Sequence, residues 1–291
     1  MDKLPIKESF PRLEELRDNH IVIKFGGNAI SGEGELQRFA KDVAMMRSLG
    51  VLPVLVHGGG PEITREMKLR GMEARKVAGL RITDTQTLEI AEYVLGRINR
   101  EIVKALKGAG VDSMGIPGYK GGLLHCKRKD PVLVYDEDGN LATIDLGHVG
   151  DVESVDAKQL RYMTMSGMVP VIYPIGVDDE GGHVNVNADT AAAHIAAALQ
   201  CEEMILITDV PGILTDVNDA ASLIKEVSIK QVEDLIEGGV VIGGMVPKVE
   251  ACRLALEKGV RSTHMLGGKD AEHLLRQILD GSHRGTKIVN G

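Results

Sequence analysis

Short β-branched runs alternate with helix-period segments along most of this 291-residue chain, and that alternation restricts the fold more than any single motif does. The strand-like run "IVIKF" (21–25) precedes a helical stretch over 35–49, which leads into "VLPVLV" (51–56). From Thr85 the apolar positions Leu88, Ala91, Leu95, Ile98, Ile102 and Leu106 recur at helical spacing until Gly108 and Gly110 stop them. Further strands are predicted at "VPVIYPI" (169–175), "HVNVN" (183–187), "MILIT" (204–208) and "STHML" (262–266), with helices over 188–200, 229–237, 247–258 and 270–280. The pattern predicts an α/β fold with a largely parallel sheet. One segment departs from it: within 131–149, "PVLVY", a "DEDGN" turn and "LATIDLGHV" predict a β-hairpin that flanks or covers a site. A change of lobe is expected near 175–185.

Charge and composition exclude several classes of function. The net charge of −8 disfavours nonspecific binding to nucleic acid or to an anionic membrane. Tryptophan is absent and aromatic residues make up 3% of the chain, which argues against a carbohydrate cleft or a base-stacking surface. Cys126, Cys201 and Cys252 are far apart and form neither a C-x-x-C pair nor a metal-spaced cluster, so no metal-ligating set and a reduced, cytoplasmic setting are expected. The first 20 residues lack a signal-peptide core, and the most apolar windows are too short to span a bilayer.

Four glycine- and lysine-bearing sites fall at the carboxyl ends of predicted strands, where open α/β sheets bind ligands. Lys24-Phe25-Gly26-Gly27 offers a cation and bare backbone N–H groups, suited to a polyphosphate, although a tight turn beside a solvated lysine would read the same way. In "HGGGP" (57–61) the glycines precede a helix opened by Pro61, a position that favours phosphate or carboxylate. His57 alone reads as a satisfied core histidine. In "NVNAD" (185–189), Asn185 and Asn187 alternate onto one side of a strand, and Asp189 stands where it would cap the next helix or orient a nearby lysine. In "GGMVPK" (243–248), Lys248 sits in a helix first turn, where the helix dipole disfavours a cation, so a function is suspected there. Neither a P-loop nor a G-x-G-x-x-G fingerprint occurs, and no nucleophile elbow is present.

Taken in order, "KFGGNA", "HGGGP", "GLRITD" (79–84), "VNVNADTAA", "ITDVPGIL" (207–214), "GGMVPKVEA" (243–251) and "GTKIV" (285–289) resemble the amino acid kinase family. Within it they are most similar to the members that phosphorylate N-acetyl-L-glutamate. The resemblance covers nearly the whole chain from about Ile21. It implies an αβα sandwich around a mainly parallel sheet, with an N-terminal extension helix (1–20), an acyl-amino-acid lobe (21–178) and an ATP lobe (179–291). It implies ATP as phosphoryl donor, with Mg²⁺ held mainly through the ATP phosphates. Lys24 and Lys248 would stabilise the transition state, and Asp189 would orient them. Gly59, Gly60, Arg81 and Asn185 would hold the acyl amino acid, and Gly26 and Gly27 would lie along the phosphates. Asp209, Gly212, Leu214, Gly243, Gly244 and Met245 would line the nucleotide.

The same resemblance implies a homo-oligomer, either a dimer or a hexamer joined through the N-terminal helix, and a nitrogen-signalling protein as a further partner. Arg12 stands where arginine-inhibited hexameric members carry a tyrosine. Sibling acceptors stay open at this point: an N-acetylated or carrier-linked aminoadipate, carbamate or UMP. So does a non-catalytic homologue, although retention of both Lys24 and Lys248 counts against it.

Overall fold

The computed structural model describes residues 12–26, 32–77, 79–135, 141–268, 274 and 284–291. The expected helix over 270–280, the turn at 136–140 and Gly27 therefore lie outside the described residues, apart from Leu274.

One eight-stranded sheet organises the chain. Its strands are β1 (His20–Phe25), β2 (Leu52–His57), β3 (Ser113–Pro117), β4 (Val169–Tyr173), β5 (Glu203–Thr208), β6 (Glu226–Ser228), β7 (Ser262–Gly267) and β8 (Thr286–Val289). Their spatial order is β6-β8-β7-β5-β1-β2-β4-β3. Every pair from β7 through β3 is parallel; only β8 runs against β7, and β6 lies parallel to β8. All six residues of β1 are buried, as a parallel strand covered on both faces requires.

The seven helices to be named are α1 (Glu33–Ser48), α2 (Gly60–Leu69), α3 (Thr85–Gly108), α4 (Ala157–Met165), α5 (Ala188–Leu199), α6 (Ile229–Glu237) and α7 (Val246–Glu257). Strand alternation sorts them into two layers. Ile21, Ile23 and Phe25 point to a core shared with α1 and the C-terminal half of α3. Val22 points the opposite way, to a core built with α4, α5, α6 and α7. The architecture is the expected αβα sandwich. The alanine-rich sequence of α5 ("ADTAAAHIAAAL") lets that helix lie close on the sheet.

Two expected elements differ in detail. The predicted strand 169–175 is two strands, because β4 ends at Tyr173 and Ile175–Val177 belongs to a second, four-stranded sheet. Pro174 stands at the break; it lacks an N–H for the ladder. The strand expected through Asn187 stops at Asn185. The hairpin within 131–149 is present as the antiparallel pair Val132–Tyr135 and Leu141–Ile144. The expected lobe boundary at 178/179 falls in the turn between Ile175–Val177 and His183–Asn185, which pair as a second hairpin. Residues 12–16 of the N-terminal extension are helical, with Leu16 buried and Arg12 paired with Glu15 and the buried Glu203. Among the described residues no helix is long and apolar enough to cross a membrane.

Candidate active site

The chain passes from β1 to β2 on one side and later returns to β5 on the other, so the carboxyl end of β1 is where the sheet order switches. Ligands in open α/β sheets bind at such a point. A pocket of about 280 Å³ opens there. It gathers Lys24, Gly26, Gly59, Gly60, Arg81, Asn185, Asp189 and Lys248, eight of the positions expected from the sequence, and adds Lys76, which no motif had indicated.

Period-two alternation explains the centre of the pocket. Lys24 shares a face of β1 with Val22, and that face carries α5. The first turn of α5 presents Asp189, whose Oδ1 lies 2.6 Å from Lys24 Nζ, both side chains being buried. Asp189 is free to do this because it is not the helix cap. The sequence allowed it that role, but Asn187 takes it: Asn187 Oδ1 accepts from the N–H groups of Asp189 (2.8 Å) and Thr190 (3.1 Å).

The three glycines of 58–60 serve different needs. A Cβ on Gly26 would lie 3.3 Å from the Gly58 backbone, so the loops after β1 and β2 touch there. A Cβ on Gly59 would come within 2.7 Å of Ile98 and 2.9 Å of Leu95 on α3, a packing constraint. A Cβ on Gly60 would meet nothing within 4 Å, so no packing need explains its bare backbone. Gly60 opens α2, and the leading N–H groups of a helix have no intrahelical partner.

Arg81 is buried and lines the pocket. It donates to Gly60 O (3.0 Å) and Thr64 Oγ1 (2.8 Å), and its Nη1 lies 3.2 Å from Met67 Sδ. Burial draws its pKa below the ordinary value, and among the described residues no carboxylate pairs with it. Lys76 lies directly opposite Arg81 in the two-stranded ribbon Lys76–Val77/Leu80–Arg81, turned by Gly79 at φ +78°. Asn185 Nδ2 donates to Thr83 Oγ1 at 3.3 Å. Lys248, in the first turn of α7, rests Nζ on Gly244 O at 3.1 Å.

Four cationic side chains (Lys24, Lys76, Arg81, Lys248) and one carboxylate (Asp189) thus line the pocket, in a chain whose net charge is negative. Such a lining favours an anion. Asp209, Gly212, Leu214, Gly243, Gly244 and Met245 are not in its lining; the first three follow β5 and the last three form a 3-10 turn that leads into α7. A Cβ on Gly212 would approach Thr286 Oγ1 to 2.5 Å, so packing accounts for that glycine. His57 is fully buried and hydrogen-bonded, as its sequence reading expected.

The fold is α/β with a cation-lined pocket at the sheet's switch point, and the match to the amino acid kinase family model over residues 19–267 makes the class definite: the chain belongs to that family. Its similarity to particular members is closer still. It is 42% identical to an acetylglutamate kinase of Methanococcus maripaludis over 283 residues, covering 97% of this chain and 96% of that one. It is 40% identical to the acetylglutamate kinase of Methanosphaera stadtmanae over 282 residues, covering 97% and 95%. Among solved structures it resembles N-acetylglutamate synthase from Neisseria gonorrhoeae complexed with coenzyme A and N-acetyl-glutamate, with a TM-score of 0.82 and 24% identity, covering 98% of this chain and 63% of that one. Carbamate kinase from Giardia lamblia bound to AMP-PNP has the same fold, with a TM-score of 0.66 and 14% identity, covering 93% and 98%.

Proposed function

We propose that this protein phosphorylates the γ-carboxylate of N-acetyl-L-glutamate with ATP, giving N-acetylglutamyl 5-phosphate, in arginine biosynthesis. The observation that carries the reading is the pocket at the end of β1: four cations converge there around a single carboxylate that is itself held by Lys24. Acetylglutamate kinases about 40% identical over 97% of the chain fix which acceptor to test first.

The chemistry suits the residues. A γ-carboxylate with a pKa of about 4.3 is already an anion at neutral pH, so no general base is needed. One carboxylate oxygen attacks the γ-phosphorus, the bond from that phosphorus to the β–γ bridging oxygen breaks, and ADP leaves with the electron pair. The obstacle is repulsion between the anionic acceptor and the triphosphate, which positioned cations and N–H groups relieve. Arg81, buried and without an acidic partner among the described residues, grips the acceptor's α-carboxylate in this reading. The Gly59 and Gly60 N–H groups and the Asn185 amide hold the rest of the acyl acid. Lys24, oriented by Asp189, and Lys248 from the first turn of α7 neutralise the transferring phosphoryl group. The nucleotide extends over Gly26 and Gly27 to Asp209, Gly212, Leu214 and Gly243–Met245.

The residues fit a metal carried by the nucleotide better than a protein-built cage. Asp189 is the one carboxylate among the described residues that line the pocket, and its Oδ1 is engaged by Lys24. Mg²⁺ bound through the phosphates would supply charge neutralisation across the β and γ groups. A coupled ADP-release assay across N-acetylglutamate, N-acetylaminoadipate, glutamate, carbamate and UMP tests the acceptor: turnover with carbamate or UMP but not N-acetylglutamate overturns the assignment. A homo-oligomer is the assembly this reading expects, and light scattering with and without arginine measures it.

A further inference from the structure

The side chain of His57 is fully buried behind the glycine loop, and its protonation state can be read from its partners. Asn99, on α3, points one amide atom at the carbonyl oxygen of Val171 (2.9 Å) and at His57 Nε2 (3.0 Å). A carbonyl oxygen only accepts, so that atom is the NH₂ group. His57 Nε2 must then accept as well, which leaves the ring proton on Nδ1. Nδ1 lies 3.0 Å from Gly58 O, and the Nδ1–H donates to it. Burial reinforces the neutral ring by pulling its pKa down from 6.5 to about 4. The ring sits between Phe25 and Tyr173, with centroids 6.3 and 6.1 Å away.

These bonds fix a peptide plane. Gly58 N–H donates to Phe25 O at 3.0 Å, and Gly58 C=O accepts from His57, so both polar groups of Gly58 are anchored on the protein side. Across a trans peptide such as Gly58–Gly59 the C=O and the following N–H point in opposite directions. With Gly58 C=O turned toward the buried histidine, the Gly59 N–H faces away from it, on the side of the pocket that Gly59 lines. Gly115 makes room for the device, since a Cβ there would fall 1.7 Å from Asn99 Oδ1.

We propose that His57 and Asn99 are a buried positioning pair that aims the Gly59 N–H at the acyl-acid subsite, setting acceptor affinity without touching the acceptor. The inference rests on the acceptor reading given above. It goes beyond that reading in assigning the orientation of the loop to two side chains outside the pocket.

Steady-state kinetics of His57→Leu, His57→Asn and His57→Gln, with N-acetylglutamate and ATP varied separately, test it. His57→Leu raises the KM for N-acetylglutamate about tenfold and lowers kcat, the loss expected when one hydrogen bond to a carboxylate is misaligned, while the KM for ATP stays within about twofold. Asparagine places an N–H near the Nδ1 position and recovers most of the loss; glutamine reaches the Nε2 position instead and does not. An unchanged acceptor KM in His57→Leu, or equal impairment of the asparagine and glutamine variants, overturns the proposal. Where His57→Leu fails to fold, the asparagine–glutamine contrast and Gly115→Ala, expected to raise acceptor KM through Asn99, carry the test. A second readout is independent of the acceptor: in ¹⁵N-glycine-labelled, ligand-free protein the Gly59 amide resonance moves in His57→Gln and stays near its wild-type position in His57→Asn. Identical spectra overturn the inference even if N-acetylglutamate proves not to be the substrate, and a wild-type enzyme inactive on N-acetylglutamate overturns only the acceptor reading.

Discussion

Replacing Asp189 by asparagine removes one partner of a buried ion pair and nothing else of similar size. Lys24 and Asp189 are each 6% exposed and meet at 2.6 Å. Removing one member of such a pair leaves an uncompensated charge and costs about 3–5 kcal/mol in a dry interior. Here the pair borders a pocket of about 280 Å³ that admits water, so a smaller cost of roughly 2–3 kcal/mol is expected. For a chain of this size that corresponds to a Tm lowered by about 5–10 °C, measurable by calorimetry. Because Lys24 loses its orienting carboxylate, kcat falls about 10²-fold, the usual effect of a misplaced catalytic group. ATP affinity should not weaken, since the unpaired lysine is a better phosphate partner. A Lys24→Met/Asp189→Leu double variant, with no buried charge, should recover the lost stability but not the activity. An Asp189→Asn variant with wild-type Tm and near-normal kcat would refute the assignment of this pair to the centre of the site.

The other expected effects separate the roles of the remaining side chains. Lys248→Ala should lower kcat by about 10²–10³ with little change in Tm, because its Nζ rests on a carbonyl of its own turn and loss of a transition-state donor costs that much; a normal kcat removes it from the mechanism. Arg81→Lys should raise the acceptor KM about tenfold or more and leave the ATP KM unchanged, since a lysine cannot make paired bonds to a carboxylate; equal effects on both KM values would place Arg81 elsewhere. His57 and His20 both have pKa values lowered to about 4, principally by burial. Both rings are therefore held neutral in the fold, and the unfolded chain takes up protons first, below its pKa of 6.5. The stabilisation is present above pH 6.5 and is lost as pH falls toward 4; for fully buried His57 it amounts to about 3 kcal/mol. Urea midpoints measured from pH 7 to 4.5 should fall, and less steeply in His57→Asn; parallel curves would contradict the burial argument.

The parts of the fold legible in the sequence were those set by periodicity. The α3 helix runs from Thr85 to Gly108 as its apolar spacing and terminal glycines indicated, with Asp84 capping it through the Thr87 N–H at 2.7 Å. What periodicity could not reveal was how strands divide between sheets. The run 169–175 is apolar throughout, and only Pro174 marks the place where it leaves one sheet for another. In the site, Lys24, Gly60, Arg81, Asn185, Asp189 and Lys248 were named from motifs and meet in one pocket. The sequence left Asp189 two roles, cap of α5 or partner of a lysine, because Asn187 and Asp189 are both good caps by type, and a two-residue shift of the helix start decides between them. Lys76 went unnoticed because its signal is a pairing: it stands opposite Arg81 across a Gly79 turn, a relation visible only when the ribbon register is known. Asn99 was hidden for the same reason, a polar residue on an apolar helix face whose partners, His57 and Val171, are distant in sequence.

The central claim, that a carboxylate is phosphorylated in the pocket at the end of β1, is tested most directly by trapping the product. An acyl phosphate reacts with hydroxylamine to give a hydroxamate, whereas a phosphoanhydride of UMP does not. The account predicts N-acetylglutamyl hydroxamate, formed in step with ADP, from wild-type enzyme and none above background from Lys24→Ala. ADP release without hydroxamate, or equal hydroxamate from the Lys24→Ala variant, would contradict it.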